Sequence, residues 1–339
     1  MEKNPKKYCE DMLPLVSRTF ALGISLLQEP LAIQMGVSYL ICRICDTLED
    51  TNTVASEIRS GLLKQASTSL LFPTKRGNLL EEIKKTFPLE QFSGAEYDLL
   101  HNIDQVMDVF DSFPDKAREH IQDCVHKMAQ GMALTVEREK NNQLHGLEDY
   151  KDFAQYCYYV AGTVGELSTK LFCHDRKDIS QEIQKELEQR EVDFGLGLQM
   201  TNILKGIVDD HKRGIVFLPH NLLVQHGLTI ESLFHDPEQE ACQKMVFSFI
   251  EYILPYMDKA VDYTVSIPES HTDIRLFCAL PVLFAFRTLR LAKEYPLPLL
   301  KGEPLKIKRK EVKDLHLLAE KKCGDNHDLR KLFEKERDF

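Results

Sequence analysis

Apolar residues along this chain recur every three to four positions, and the two-residue alternation of a half-buried strand is nearly absent. That periodicity predicts an all-α protein. Residues 8–28 read as a first helix, closed by Glu29-Pro30, because the residue before a proline is pushed out of the helical region. Residues 31–50 read as a second, more apolar helix that ends in acids. Further helices are expected at 54–71, 92–111, 115–140, 147–173, 180–209, 238–265 and 271–295. Pro114 suits a first helical turn, whereas Pro281 lies inside its helix and is expected to kink it. Residues 296–313 combine prolines, a glycine and a basic run, and two short helices finish the chain. No repeat or low-complexity linker interrupts this pattern. The expectation is one all-α domain over residues 1–339, helices around a central cavity, with a flap or cofactor segment near 296–313.

Composition narrows the function. With 43% hydrophobic residues in 339, the chain can bury a full core and is not a disordered one. Lys plus Arg is 43 and Asp plus Glu is 53, a net charge of −10. That balance argues against a nucleic-acid partner and, at first sight, against an anionic substrate. Nine cysteines and a polar start, MEKNPKKYCEDM, without the apolar segment of a signal peptide point to reduced thiols in the cytoplasm. Cys42 and Cys45 form a lone CxxC with no second pair at zinc spacing and are expected to be core. The longest unbroken apolar run, Phe277 to Phe286, is short of the roughly 20 residues of a membrane span, so none is expected.

Two acidic segments carry the candidate chemistry. Asp46, Glu49 and Asp50 stand at i, i+3 and i+4, within one helical turn. Like charges so placed repel, and a divalent cation relieves them; carboxylates are Mg²⁺ ligands, and Mg²⁺ is often shared with substrate phosphates. A solvated helix end is the commoner meaning of such a triplet, but the preceding turn, VSYLIC, is nearly all apolar, and Arg43 lies one turn before Asp46. The second segment places Gln199, Asn202, Gly206 and Asp210 along one line of a helix, with Asp209 beside it. It reads equally as a metal-binding face or as a polar stripe.

These segments, with others, resemble the squalene and phytoene synthase family, and within it the squalene synthases. The matching strings are Ser17-Arg18-Thr19-Phe20, YLICR running into DTLED at 46–50, Gly131-Met132-Ala133, YCYYVAGTVG at 156–165, residues 199–210 and FCALP at 277–281. They span about residues 15–310 in order. The resemblance implies an all-α prenyl-synthase fold and a transferase that joins two farnesyl diphosphates head to head. It proceeds through presqualene diphosphate and, with NADPH, gives squalene. It implies Asp46, Glu49, Asp50, Asn202 and Asp210 as Mg²⁺ ligands, and Arg18, Arg43 and Lys205 as partners of the departing diphosphate. Tyr156 is implied as the proton shuttle, with Arg43 and Arg18 beside it in catalysis. Ser17, Phe20, Tyr39, Val160, Val164, Gln199, Phe277 and Pro281 are implied to contact substrate, each of the apolar ones serving equally well as plain core. No GxGxxG motif opens a nucleotide-binding domain. Lys306 and Lys308, in the run KIKRK, match a segment implied to lie near the cofactor phosphates; a solvated basic patch is the alternative. A monomer is expected, in the cytoplasm, with peripheral membrane contact favoured by a hydrocarbon product.

One position departs from the family pattern. Gly206 stands where the second motif normally begins with a metal-binding aspartate. Three readings follow, in order: altered metal ligation; a half-reaction or different head-to-head product; or a prenyl-diphosphate binder without catalysis. Gly162 and Gly165 leave a further choice open, since removing side chains there makes room for a ligand chain or for a neighbouring helix.

Overall fold

The computed structural model describes residues 4–69, 73–88, 90–141 and 143–339, with the side chains of Arg18 and Pro73 outside the description. The chain forms two compact units, one of Met1–Asn142 with Glu166–Asp178 and one of Gln143–Gly165 with Ile179–Phe339.

The first unit contains α1 (Pro5–Val16), α2 (Arg18–Ile24), α3 (Leu31–Asp50), α4 (Ser56–Ser69), α5 (Arg76–Thr86), α6 (Ala95–His101), α7 (Ile103–Asp111) and α8 (Asp115–Val136). Helix α3 matches its expected bounds and is the core of the unit, packing on α8, α4 and α6. By length and composition it is apolar enough to cross a membrane, contrary to the absence of any span expected above, but 72% of that stretch is buried in the protein, as in a core helix. Cys42 and Cys45 are buried in it, with Cys124 of α8 beside them.

Three expected helices are split. The first breaks at Ser17, whose extended backbone ends α1 and whose hydroxyl accepts the Phe20 N–H to start α2. The second breaks at Asn102, between α6 and α7. The third, expected at 180–209, breaks at Gln189-Arg190, between Gln181–Glu188 and Glu191–Lys212. Periodicity alone does not register breaks of one or two residues.

The second unit contains α9 (Tyr150–Cys157), a π turn (Tyr158–Gly162) and the start of α10 (Thr163–Asp175), whose remainder belongs to the first unit. There follow α11 (Gln181–Glu188), α12 (Glu191–Lys212), α13 (His220–Gln225), α14 (Ile230–His235), α15 (Glu240–Ser266), α16 (Thr272–Glu294), α17 (Pro296–Leu300), α18 (Arg309–Lys322) and α19 (Asn326–Arg337). Pro281 lies within α16 without interrupting its helical assignment. Two short parallel strands, β1 (Leu144–Leu147) and β2 (Ile215–Pro219), pair Leu144 with Ile215. Strand β2 is buried throughout, so it shows no alternation to read.

The glycines of the YCYYVAGTVG string face a neighbouring helix. A Cβ on Gly165 would sit 1.9 Å from the Glu191 carbonyl oxygen, and one on Gly195 would sit 2.2 Å from that of Ala161. The backbones of the π turn, α10 and α12 therefore meet without side chains between them. We expect Gly165→Ala to destabilise the fold by about 2–3 kcal/mol through overpacking. Gly61 of α4 has open space around its Cβ, so Gly61→Ala should stabilise by about 0.5–1 kcal/mol. Thermal unfolding of both variants checks this; a Gly165→Ala protein as stable as wild type would contradict the close backbone contact.

Candidate active site

In the first unit, α3 buries Leu40, Ile41, Ile44, Cys45 and Leu48. Tyr39, Arg43, Asp46 and Asp50 remain partly exposed, at successive spacings of four, three and four residues. One stripe of a core helix therefore carries an aromatic, a cation and two acids. Phe20 stacks on Tyr39 with ring centres 5.3 Å apart and an interplanar angle of 28°. Ser17, freed from helical geometry by the break it caps, hydrogen-bonds to Tyr39. Of the unit's eight expected site residues, Ser17, Phe20, Tyr39, Arg43, Asp46 and Asp50 thus form one constellation. The Arg18 side chain lies outside the described residues; α2 begins at that position.

Arg43 is ion-paired with Asp46 at 3.6 Å and with Glu96 of α6 at 3.5 Å. Burial opposes its charge, but Asp46, Tyr39, Glu96 and Asp50 hold its guanidinium even more firmly protonated than usual. Burial pushes the Asp46 carboxyl up to about 6, against the pull of Arg43 and with the help of Asp50. Burial likewise raises the Tyr39 hydroxyl. Thr47 donates to the Arg43 carbonyl at 2.9 Å and Thr51 to that of Thr47 at 2.7 Å, stiffening the turn that bears the acids. Glu49 is different: at about 100° per residue it turns away from Asp50, and it is 5% exposed. The exposed acid pair is Asp46 with Asp50.

Among the described residues, no three His, Cys, Asp or Glu side chains gather closely enough to hold a metal by themselves. Mg²⁺ does not require that, since it is commonly held by one or two carboxylates with water and substrate phosphate. Two acids one turn apart, one already disfavoured as an anion by burial and by its neighbour, fit such an ion.

In the second unit, Tyr156 lies in the last turn of α9 at 5% exposure, and its ring stacks on Phe217 of β2 at 4.5 Å and 12°. The π turn follows directly, and such turns are frequent at functional sites. Val160 in that turn, Val164 in α10, and Gln199 in α12 are half-buried. Phe277 and Pro281 lie one turn apart on α16, the first buried and the second half-buried. On α12, Asn202 and Lys205 are exposed, while Gly206 and Asp210 are half-buried. Arg213 donates to the Asp210 carboxylate at 2.6 Å. A Cβ on Gly206 would lie 3.5 Å from that carboxylate, an ordinary contact. Lys306 and Lys308 are exposed in the segment leading into α18, and the Lys308 N–H donates to Glu311 at 3.0 Å. An amino-terminal helix end beside exposed lysines suits phosphate groups.

Glu96 and Phe217 are additions that the motifs did not point to. Glu96 lies 53 residues from Arg43, and Phe217 sits in an unread strand, so only tertiary structure joins them to the site.

A sequence profile of the squalene/phytoene synthase family matches residues 13–311. The chain belongs to the squalene/phytoene synthase family. The squalene synthase of Eremothecium gossypii is 29% identical over 84% of this chain and 62% of its own length. That of Saccharomyces cerevisiae is 27% identical over 84% and 61%. The chain thus spans about three fifths of the length of these relatives. A structure of TcSQS with the ligand BPH1237 shares the all-α fold, with a TM-score of 0.83 and 21% identity over 98% of this chain and 90% of its own.

The Asp46 carboxyl generates a test of this stripe in metal-free protein. Its raised value means that the folded state binds the proton more tightly than the unfolded state, so its stabilising contribution is present at low pH and lost as pH rises from about 4 through about 6. In EDTA, Asp46→Asn should therefore raise the melting temperature at pH 7.5 and leave it unchanged near pH 4. An equal effect at both values would mean that Asp46 is not desolvated as described.

Proposed function

We propose that the protein joins two farnesyl diphosphates head to head and reduces the product to squalene. The observation that carries this reading is the Tyr39–Arg43–Asp46–Asp50 stripe, where a cation, a desolvated acid and a second acid share one helix face. The squalene synthases that match over 84% of the chain support it. Mg²⁺, for which Asp46 and Asp50 are the ligands proposed in the first unit and, by resemblance, Asn202 and Asp210 those in the second, would neutralise the departing diphosphate when bound. Glu49, deeply buried, is assigned at most a secondary part in holding that ion. NADPH, its phosphates near Lys306 and Lys308, would supply hydride for the final reduction.

The chain's own groups do the rest. Arg43, and by resemblance Arg18 and Lys205, bind diphosphate oxygens. Phe20 and Tyr39 offer aromatic faces that stabilise an allylic cation and exclude water. Val160, Val164, Phe277 and Pro281 contact the prenyl chains, with Ser17 and Gln199 as polar contacts. Tyr156, its ring fixed against Phe217, moves at its hydroxyl oxygen the proton lost as the cyclopropane ring of presqualene diphosphate closes. Altered ligation around Gly206 is our reading of the motif's departure from the family. A hydrocarbon product favours work at a cytoplasmic membrane surface, and we take the working form to be a monomer.

Incubation with farnesyl diphosphate and Mg²⁺ should yield presqualene diphosphate, and squalene once NADPH is added, as identified by mass spectrometry. No diphosphate release under either condition would refute the enzyme. Tyr156→Phe should lower turnover at least 100-fold with substrate binding kept; normal turnover would remove it from the mechanism. Gly206→Asp should lower the Mg²⁺ concentration needed for half-maximal rate, because it sets a second carboxylate beside Asp210. An unchanged Mg²⁺ dependence would mean that this position does not face the metal.

A further inference from the structure

Arg59 belongs to none of the motifs, yet with Arg275 it is one of the two largest fully buried side chains among the described residues, at 0% exposure. Its Nε donates to the Val54 carbonyl at 2.9 Å, its Nη1 to the Glu49 carbonyl, and its Nη2 to the Glu139 carboxylate. Glu139, just past the end of α8, has a side chain only 3% exposed. One guanidinium thus ties together the last turn of α3, the turn that follows it and the end of α8. We infer that Arg59, held by Glu139, is a positioning residue for the Asp46–Asp50 stripe, and that it sets the stripe's affinity for a divalent cation with a diphosphate. This inference rests on the function proposed above.

Carbonyls in the last turn of a helix lie beyond the reach of helical N–H partners, and Glu49 is the residue just before Asp50. Arg59 supplies a donor at that carbonyl and therefore fixes the backbone from which Asp50 projects. The Arg59–Glu139 pair also turns its positive member, through Nη1, toward the carboxyl end of α3, the favourable orientation to the helix dipole where two acids gather. Stability alone does not explain the arrangement, because well-packed apolar residues in place of a buried ion pair are often neutral or stabilising. An apolar pair, however, leaves the Glu49 carbonyl without its donor and the helix end without the guanidinium that faces it.

The test separates packing from positioning. In Arg59→Met/Glu139→Leu the cavity stays filled and the fork is removed; Glu139→Gln keeps the shape and Arg59 but removes the buried anion. Mn²⁺ binding with inorganic pyrophosphate is measured by electron paramagnetic resonance, without turnover, alongside circular dichroism and melting temperature. We expect the double variant to fold and its Mn²⁺ dissociation constant to rise about tenfold, in the range of lost outer-shell support, with a smaller rise for Glu139→Gln. Wild-type affinity in a folded double variant would overturn the inference and leave the proposed function standing. If the double variant does not fold, Glu139→Gln decides, and wild-type affinity there overturns the inference too. Absence of Mn²⁺ binding in the wild type itself would overturn the metal reading of the stripe, and this inference with it.

Discussion

Placing charge on a helix that is otherwise core is the constraint on which this site depends. Helix α3 is buried on most of its surface, and through its last three turns only Tyr39, Arg43, Asp46 and Asp50 reach solvent. Each charge there loses hydration, and each must recover it from a neighbour or a ligand. Arg43 recovers it between Asp46 and Glu96. Asp46 does so incompletely, since burial outweighs its arginine. An incompletely neutralised Asp46, one turn from Asp50 and beside a firmly protonated arginine, supports the proposal of a cation that brings its own anionic ligand, as Mg²⁺ with a diphosphate does. A net charge of −10 therefore does not oppose an anionic substrate; what matters is where the acids sit.

The second unit solves a different problem, the orientation of an aromatic side chain by backbone packing. Glycines at 165 and 195 let α12 meet the start of α10 and the π turn backbone to backbone. That contact fixes the segment immediately after Tyr156, whose ring is set by Phe217. The choice left open at Gly162 and Gly165, ligand chain or neighbouring helix, resolves to the helix, with Leu196 and Val192 nearest to Gly162 from α12.

Much of this was legible in the amino-acid order, and the failures have physical causes. Helix α3 was bounded correctly because a proline precedes it and acids end it. The interruptions at Ser17, Asn102 and Gln189-Arg190 escaped because helical periodicity does not register a break of one or two residues, and the hydroxyl cap at Ser17 leaves no periodic trace. The π turn escaped because one widened turn shifts the phase of a helix without changing its composition. Spacing grouped Asp46, Glu49 and Asp50, but only packing shows that Glu49 is buried while the other two are accessible. Glu96, Phe217, Arg59 and Glu139 were unreadable for one reason: each acts through a partner distant in sequence.

The stripe on α3 is proposed to receive a divalent cation together with a diphosphate. Crystals grown with Mn²⁺ and an unreactive thiodiphosphate analogue of farnesyl diphosphate test it most directly, through the anomalous signal of the metal. The account predicts an anomalous peak bonded to oxygens of Asp46 or Asp50 and of the diphosphate, with Arg43 on the same head group. A diphosphate bound with its metal away from α3, leaving Asp46 paired to Arg43 alone, would contradict it.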